Sequence, residues 1–469
     1  MHLHIIPDKF VPEGMMFPSR HGRDDRRHWT FGEERREIRL VTGANGRDLM
    51  TLNRRTFLGT ATAASVALSA PMALGQAKPR VVVIGGGSGG GTVARYIAKD
   101  SNGAVDVTLI EPSRKYYTCY FSNLYLGGFW EFDALGHDYG NIARLGVNVV
   151  HDWAVGVDRD AQTVALASGE SISYDRLVVA PGIDFVEGSV PGWDVSQQSL
   201  MPHAYKSGTQ AQLLKHQIEN MREGGTFCMV APPNPYRCPP GPGERVSMVA
   251  HVLSQINPTA KILIVDPKEN YSKQALFEEG WERHYPGMVT RIGPDFGGDR
   301  VEVRPDAMEV VVDGVVETVD VCNVIPAQKA GKIAELAGLT NDSGWAPVLP
   351  SDMRSRMDEN VFVLGDASAQ GAMPKSGFSA NSQAKVVANV IRGELTGSRI
   401  FPARYSNTCW SLIATDDGVK VGANYEAGDD QIESVSSFIS QTGEDAELRR
   451  QTYEESIGWY NGIVADIFG

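Results

Sequence analysis

The feature that most constrains the fold is a glycine turn after an apolar strand, within RVVVIGGGSGGGTVARYIAK at residues 80–99. Gly85, Gly87 and Gly90 match the pattern G-x-G-x-x-G, and a helical pattern follows. In a dinucleotide-binding βαβ unit the first glycine makes the turn, the second admits a pyrophosphate, and the third lets helix pack on strand. Glu111 ends the next apolar strand, where an acid about 20 residues on binds a ribose hydroxyl. The sequence therefore predicts a dinucleotide site.

Two later stretches favour FAD over NAD as the dinucleotide. Residues 174–183 read as a strand that ends in an Ala-Pro-Gly turn, and another apolar strand ends in Gly365 and Asp366. An aspartate there can meet the ribityl chain or the pyrophosphate, although alone it could be a turn residue. The loop and helix predicted over 373–393 would aim an N-terminal dipole at the flavin and stabilise its reduced anion. Lys375, in that loop, is assigned to the same site.

The second half of the chain lacks the glycine turn that NADH would need. Apolar strands at 224–233 and 261–269, the latter containing Asp266, match a second Rossmann-like domain. The loop between them reads APPNPYRCPPGPGE instead. Prolines have no amide N–H to offer a phosphate and cannot adopt the required turns. We therefore predict a degenerate NAD site, with Cys238 standing where the nucleotide would enter.

The five cysteines are too few for a disulfide scaffold and form no CxxC or CxxCH motif, so no metal site and no haem on this chain are predicted. Cys228 and Cys322 lie in apolar strand patterns and are predicted core residues. Cys119, flanked by tyrosines, could equally attach flavin covalently or pack in the interior. Spacing alone leaves a disulfide between Cys238 and Cys409 as one open option.

Composition indicates an acidic globular protein. The chain has 469 residues, enough for two or three domains, with a net charge of −13 and a mean hydropathy of −0.21. This charge argues against nucleic acid and against anionic membrane surfaces as partners, and it suits a basic partner protein.

The segment before the glycine turn has the order of an export signal. Arg54 and Arg55 are followed by an Ala-rich apolar stretch and by small residues around Ala77. We predict a twin-arginine signal peptide over residues 50–77, and hence a periplasmic protein. The apolar stretch is too short and too rich in Ala, Ser and Thr for a membrane span. Residues 1–49 show no core pattern and are expected to be a disordered extension or a mis-annotated start.

Eight motifs along the chain are distinctive when taken together: VIGGGSGG, TLIEP, YYTCY, APPNPYRCPPGP, LTNDSGW, MPKSGFSANSQ, NTCWS and WYNGIVADIFG. With these motifs the chain resembles the flavoprotein subunit of flavocytochrome c sulfide dehydrogenase, a relative of the sulfide:quinone oxidoreductases. The resemblance implies an α/β fold with two Rossmann-like dinucleotide-binding domains of the glutathione-reductase type and a C-terminal α+β interface domain. The expected boundaries are 78–190 and 320–395 for the FAD-binding domain, 191–319 for the second Rossmann-like domain, and 396–469 for the interface domain.

The resemblance also implies the site and the activity. Cys119 would carry FAD through an 8α-methyl thioether, and Cys238 and Cys409 would form a redox disulfide at the flavin. Glu244 matches an acid that handles protons, and Trp459 matches an aromatic residue near the route to haem c on a cytochrome c subunit. The implied reaction oxidises sulfide to sulfur or polysulfide and passes the electrons through FAD to that partner.

Three alternatives stay open at this point. A sulfide:quinone oxidoreductase would use amphipathic C-terminal helices, whereas residues 444–469 have only a weak apolar face. A flavin-loaded electron-carrier subunit would leave catalysis to a partner. An NADH-dependent disulfide reductase would need the glycine turn that the proline loop replaces.

Overall fold

The computed structural model describes residues 77–206 and 208–469. The predicted extension at 1–49 lies outside these residues, as does the predicted signal peptide at 50–77 apart from its last residue. Within the described ranges, no helix is long and apolar enough to cross a bilayer.

The first part of the chain contains a parallel sheet around the glycine turn and several short strands that lie outside that sheet. Its strands are β1 (Arg80–Ile84), β2 (Asp106–Ile110), β3 (Lys115–Tyr117), β4 (Gly136–Asp138), β5 (Asn148–Val150), β6 (Ala154–Asp158), β7 (Thr163–Leu166), β8 (Ser171–Ser173), β9 (Arg176–Val179) and β10 (Ile183–Phe185), and its helices are α1 (Gly90–Asp100), α2 (Ser122–Leu126) and α3 (Gly140–Arg144). Strand β1 pairs in parallel with β2 and with β9. Its valines are almost fully buried, as expected of a parallel strand covered on both faces.

The middle of the chain contains a second parallel sheet and a separate antiparallel sheet of three strands. Its elements are α4 (Thr209–Glu219), β11 (Thr226–Val230), α5 (Gly241–Ile256), β12 (Lys261–Val265), α6 (Gln274–His284), β13 (Val289–Ile292), β14 (Val301–Arg304), β15 (Glu309–Val312), β16 (Val315–Thr318) and β17 (Val321–Val324). The order of the parallel sheet is β13-β12-β11-β17. Cys228 lies opposite Cys322 on neighbouring strands, and both are fully buried, which confirms their predicted core positions.

The predicted domain boundary at residue 320 is wrong. Strand β17 pairs with β11, so the second Rossmann-like domain extends to Val324 before the chain returns. The four residues of β17 are all buried, and their backbone pairs with the neighbouring strand β11. An apolar strand pattern does not specify which of two sheets the strand joins, and this explains the misplaced boundary.

The chain then returns to the first sheet and ends in an antiparallel sheet with a long helix. The remaining elements are β18 (Gln328–Ala330), α7 (Lys332–Leu336), β19 (Ala346–Pro347), β20 (Val361–Val363), β21 (Ser368–Ala369), α8 (Gly377–Thr396), β22 (Arg404–Ala414), β23 (Asp417–Ala427), β24 (Ile432–Ile439) and α9 (Ala446–Phe468). Strand β20 completes the first sheet in the order β20-β9-β1-β2-β5. Strands β22, β23 and β24 form the C-terminal sheet.

The C-terminal helix α9 is fastened at both of its ends. Near its start, the buried Arg449 contacts Asp417 at 3.0 Å and Glu279 at 3.2 Å, so it links α9 to β23 and α6. At its end, the Phe468 ring packs against Tyr116 in the first domain, with ring centres 5.6 Å apart. The residues between these anchors, including Trp459, are thereby held against the site.

Candidate functional site

A cleft of about 620 Å³ opens at the carboxyl edge of the first sheet. Its lining includes Gly85 to Gly89, Glu111, Cys119, Ala180 to Gly182, Asp366 and Gly377. The N-termini of α1 and α8 both lie at this edge, and helix N-termini favour anionic groups. In open parallel sheets ligands bind in this place.

The glycines and the acid of the predicted dinucleotide motif come together at the cleft. Gly85 has φ of +96°, and a Cβ there would lie 2.3 Å from the Ala180 carbonyl oxygen. A Cβ on Gly90 would lie 1.9 Å from the Gly85 carbonyl oxygen, so only glycine fits either position. Gly87 lines the turn beside them. The backbone N–H of the intervening Gly86 donates to the Glu111 carboxylate at 2.9 Å, which fixes the acid at the turn.

The far side of the cleft holds buried polar atoms that indicate a polar ligand. Asp366 Oδ1 and Arg237 Nη2 have no hydrogen-bond partner among the described residues, and the two side chains approach to 3.9 Å. Burial raises the pKa of Asp366, and Arg237 opposes that shift. Buried polar atoms are rarely left unsatisfied. The donors and acceptors of FAD would satisfy both, so the cleft fits this cofactor.

Lys375 lies beside the cleft and does not line it. Its ammonium donates to the carbonyls of Asp366 at 3.0 Å and Ser368 at 2.6 Å, and it lies 3.7 Å from the centre of the Trp345 ring. Burial lowers its pKa to about 8. Its own carbonyl accepts the Cys238 N–H at 2.7 Å. The residue therefore braces the loops between cleft and cysteine, and its predicted contact with the cofactor stays a prediction.

A second cavity adjoins the cleft at Cys119, which lines both. The same cavity is lined by Cys238, Glu244, Cys409 and Trp459. The structure thus brings together five predicted site residues that are widely separated in the sequence. Cys238 and Cys409 are both free thiols in this structure.

Cys238 is held by the backbone of the proline loop. It has φ of 56°, a left-handed conformation that is uncommon outside glycine. Its carbonyl accepts the Gly241 N–H at 2.7 Å and the Tyr205 hydroxyl at 3.2 Å. A Cβ on Gly241 would lie 3.0 Å from the Cys238 sulfur, so the glycine leaves room for the thiol. The stiff loop thus presents Cys238 to the cavity in one orientation.

Cys409 is buried on β22 and approached by an amide. The Asn407 Nδ2 group donates to its sulfur at 3.4 Å, and the Ser376 hydroxyl donates to the Asn407 oxygen at 2.6 Å. Ser376 also caps the N-terminus of α8, so this chain of contacts joins helix and thiol. Burial raises the pKa of Cys409, and it raises the pKa of Cys238 well above the ordinary value. The free thiols therefore keep their protons to higher pH than exposed cysteines do.

Glu244 lies in the first turn of α5, next to both thiols. One carboxylate oxygen accepts the Asn123 side-chain amide at 2.8 Å, and the other accepts the Leu412 N–H at 3.1 Å. Burial raises its pKa. A carboxyl group with a raised pKa in a cavity is suited to taking up and returning a proton.

The position of a second nucleotide is filled by side chains. Asp266 is bound by Lys268 at 2.6 Å and by Arg291 at 3.1 Å. The aromatic rings of Tyr236, Tyr271 and Trp281 occupy the space around it and leave a cavity of about 10 Å³. This arrangement accords with the predicted degenerate NAD site, because neither the acid nor the loop is free to bind a ribose or a phosphate.

Trp459 belongs to a group of packed rings at the mouth of the thiol cavity. Its ring is 5.2 Å from that of Trp410 and 6.0 Å from that of Phe378, to which it is nearly parallel at 2°. All three side chains are partly exposed. The group therefore extends from the cavity wall to the protein surface.

Sequence reasoning missed several residues of this site. Arg237 and Asn407 stand beside the two predicted cysteines, and that proximity in the sequence was a usable signal. Arg245 is buried and bonds to Asn123, the residue that also holds Glu244. Lys273 is buried near Cys409, yet its polar sequence context is typical of an exposed lysine.

The two parallel sheets, the glycine-turn cleft and the adjoining thiols define a flavoprotein oxidoreductase of the pyridine nucleotide-disulphide type. The protein-family model "Pyridine nucleotide-disulphide oxidoreductase" matches residues 79–220. Two narrower models match the rest: "Sulfide dehydrogenase [flavocytochrome c] flavoprotein chain, central" at 211–326, and "Flavocytochrome c sulphide dehydrogenase, flavin-binding" at 401–468. These two models assign residues 211–326 and 401–468 to domains of flavocytochrome c sulfide dehydrogenase flavoproteins, and the flavin-binding match supports FAD as the cofactor.

Named relatives agree with this assignment. The chain is 50% identical over 44 residues to the sulfide dehydrogenase [flavocytochrome c] flavoprotein chain of Chlorobaculum thiosulfatiphilum, covering 9% of this chain and 90% of that sequence. It is 23% identical over 298 residues to the mitochondrial sulfide:quinone oxidoreductase of Mus musculus, covering 61% of this chain and 65% of the mouse protein. The chain thus spans slightly less than two thirds of that relative.

A solved structure shares the fold. The X-ray structure of the sulfide:quinone oxidoreductase from Aquifex aeolicus superimposes with a TM-score of 0.61 at 18% identity, over 81% of this chain and 91% of that one. At this identity the likeness concerns the fold alone. It agrees with the predicted pair of Rossmann-like domains.

Proposed function

We propose that this chain oxidises sulfide through a redox disulfide between Cys238 and Cys409, with FAD as the first electron acceptor. The observation that carries the proposal is that both thiols line one cavity with Glu244, directly beside the dinucleotide cleft. The filled second nucleotide position argues against NADH as the donor. The names of the family and of the relatives support sulfide as the substrate.

The chemistry begins as a thiol–disulfide exchange. HS⁻ attacks one sulfur of the oxidised pair, a new S–S bond forms to that cysteine, the Cys238–Cys409 bond breaks, and the other cysteine leaves as a thiolate. Overall, HS⁻ loses two electrons and one proton to give zero-valent sulfur. Glu244 is placed to take that proton, and the rigid loop holds Cys238 in line for the exchange. Bound FAD supplies the two-electron acceptor.

Cys119 is proposed to carry the FAD covalently through a thioether. It lies where the cleft and the thiol cavity meet, so a cofactor attached there would reach both. The motif YYTCY supports this role through its resemblance to the family.

A cytochrome c subunit is proposed as the next electron acceptor, with Trp459 near the exit route. The packed rings of Trp459, Trp410 and Phe378 extend from the cavity to the surface, where a partner would dock. The net charge of −13 suits a basic partner. Arg54 and Arg55, followed by an apolar stretch, support twin-arginine export and a periplasmic location.

The test is the anaerobic absorbance of the bound flavin, with sulfide added to one cuvette and NADH to another. We expect sulfide to bleach the flavin and NADH to leave it oxidised. Cys238→Ser should keep its FAD and lose bleaching by sulfide. Wild-type turnover in that variant would overturn the mechanism, bleaching by NADH alone would favour a disulfide reductase, and no response to sulfide would favour an electron-carrier subunit.

Sulfide:quinone oxidoreductase activity is the second candidate, because the mouse relative of that name aligns over 298 residues. The two functions differ in the acceptor. The sulfide-reduced protein should be reoxidised rapidly by a cytochrome c and slowly by decylubiquinone if the first proposal holds. Rapid reoxidation by decylubiquinone in the absence of any cytochrome would establish the second.

A further inference from the structure

A buried lysine that the mechanism above does not use lies beside the thiol cavity. Lys273 immediately precedes α6, has a left-handed backbone with φ of 62°, and is 4% exposed. Its ammonium donates to the Cys409 carbonyl at 3.0 Å and to the Ser411 hydroxyl at 2.7 Å. The Val419 carbonyl on β23 lies at 3.4 Å. The three donors of this ammonium therefore all face the strand pair that carries Cys409.

Three titratable groups among the described residues interact electrostatically with Lys273. They are Cys238 on the proline loop, Cys409 on β22 and Glu244 on α5. Burial lowers the pKa of Lys273 to about 8, and all three groups oppose that shift. The effect is mutual, because the ammonium opposes the rise in pKa that burial causes at each of them.

Opening the disulfide makes this site more negative. HS⁻ brings in one negative charge, and the exchange leaves one thiolate behind. A thiolate in buried surroundings is costly unless a cation lies close to it. Three other cations line the cavity. Lys206 pairs with Asp184, Arg237 approaches Asp366 on the cofactor side, and Arg245 bonds to Asn123. Lys273 is the cation bonded to the strand of Cys409 itself.

We propose that Lys273 is a positioning residue for the thiol pair. Its ammonium holds the strand segment of Cys409 through the backbone and stabilises negative charge on the sulfur atoms. The inference rests on the proposed function, since it takes Cys238 and Cys409 as the reacting pair. The charge effect is a property of the thiols, however, so it is measurable without sulfide.

Lys273→Gln distinguishes the effect of the positive charge from that of the hydrogen bonds to the Cys409 strand. Glutamine is neutral but still donates to the Cys409 carbonyl or to Ser411. The FAD-loaded protein is reduced anaerobically, and the rate of iodoacetamide alkylation at Cys409 is followed peptide by peptide as a function of pH. Below pH 8, where the ammonium of wild-type Lys273 is charged, we expect the alkylation rate of Cys409 to fall about tenfold in the variant, which displaces this part of the profile and the apparent midpoint to higher pH by up to about one unit. Lys273→Arg, which keeps the charge, should restore the wild-type midpoint.

Lys268→Met is the matched control, because this lysine is also buried but is bound to Asp266 and the Pro232 carbonyl. Its alkylation midpoint at Cys409 should equal that of the wild type. Should Lys273→Gln fail to fold, Lys273→Met carries the same expected shift. An unchanged midpoint in the neutral variants would overturn the inference. If the midpoint shifts but sulfide does not bleach the flavin of the wild-type protein, the role of Lys273 towards the thiols is supported and the proposed function is rejected.

Discussion

The carboxylate of Glu244 accepts the backbone N–H of Leu412 at 3.1 Å, so the first turn of α5 is joined to strand β22. Cys238 lies just before this turn, and Cys409 lies on the same strand as Leu412. The contact therefore helps to set the distance between two thiols that belong to different domains. Glu244 lines the same cavity as both thiols.

Replacing Glu244 by glutamine should destabilise the protein. Both carboxylate oxygens accept hydrogen bonds, from Asn123 and from Leu412, whereas glutamine has only one oxygen to offer. One buried donor would then face an NH₂ group, at a cost of about 1–3 kcal/mol in the free energy of unfolding. Denaturant titration measures this change. The exposed Glu282→Gln should change the free energy by less than about 0.5 kcal/mol, and an equal loss in both variants would contradict the argument.

Ionisation of Glu244 should make both activity and stability depend on pH. Burial raises its pKa above the ordinary value of 4.5. The stabilisation from the protonated carboxyl is thus fully present below about pH 4.5 and is lost as pH rises through the raised pKa. If the ionised form accepts the proton of HS⁻, the rate of flavin bleaching at constant HS⁻ concentration should increase with pH through the raised pKa of Glu244. This acid limb of the pH profile should lie above pH 4.5. Glu244→Gln should abolish this limb, and an unaltered profile would exclude the proton-accepting role.

Cys119→Ser should release the flavin on denaturation. If Cys119 carries FAD through a thioether, the wild-type polypeptide keeps flavin fluorescence in a denaturing gel, and the serine variant does not. Cys238→Ser is the control, since its thiol is not proposed to bind the cofactor, and its band should stay fluorescent. Fluorescence retained by Cys119→Ser would show that attachment, if present, is elsewhere.

Gly90→Ala should weaken both FAD binding and folding. The new Cβ would lie 1.9 Å from the Gly85 carbonyl oxygen, so α1 must move away from the turn, at a cost of about 1–3 kcal/mol. Cofactor retention on dilution and the thermal midpoint measure the two effects. Gly458→Ala is the control: it lies in α9 with open space around it, and alanine there should stabilise by up to about 1 kcal/mol.

Arg449→Met should destabilise the C-terminal helix strongly. The buried guanidinium contacts Asp417, Glu279 and Glu444. Its removal leaves Glu444 without a paired cation among the described residues, and the buried Asp417 keeps only the partly exposed Arg283 and His284. We expect a loss of about 3–5 kcal/mol in the free energy of unfolding. Arg450→Met, next in the chain, removes an exposed arginine that pairs with Glu447 and should cost less than about 1 kcal/mol. Similar losses of stability in the two variants would contradict the stabilising role of the buried Arg449 ion pairs.

Much of the cofactor site could be predicted because its signal is local. The strand, the turn of Gly85 to Gly90 and Glu111 lie within one βαβ unit, and their order follows from backbone geometry alone. The signal for the predicted degenerate NAD site is also local, since prolines have no amide N–H to offer a phosphate and cannot adopt the required turn. The boundary at residue 320 was misplaced because β17 is defined by its pairing with a distant strand.

The cysteine site was only partly predictable. Cys238 could be singled out by its proline loop, but spacing alone left its pairing with Cys409 open, and only the resemblance suggested it. Lys273 had no signal, because a lysine before a helix is ordinarily exposed. Its burial depends on two strands that come from the other end of the chain.

The sequence by itself determined the dinucleotide turn and the core positions of Cys228 and Cys322, and it supplies the proline loop on which the predicted degenerate NAD site rests. Each follows from short-range rules of backbone conformation and side-chain polarity. Only the tertiary structure decided that Cys119, Cys238, Cys409 and Glu244 share one cavity, and that a buried lysine faces three of them. The physical reason is that burial and electrostatic coupling depend on contacts between distant segments, which exist only once the sheets and α9 have packed together.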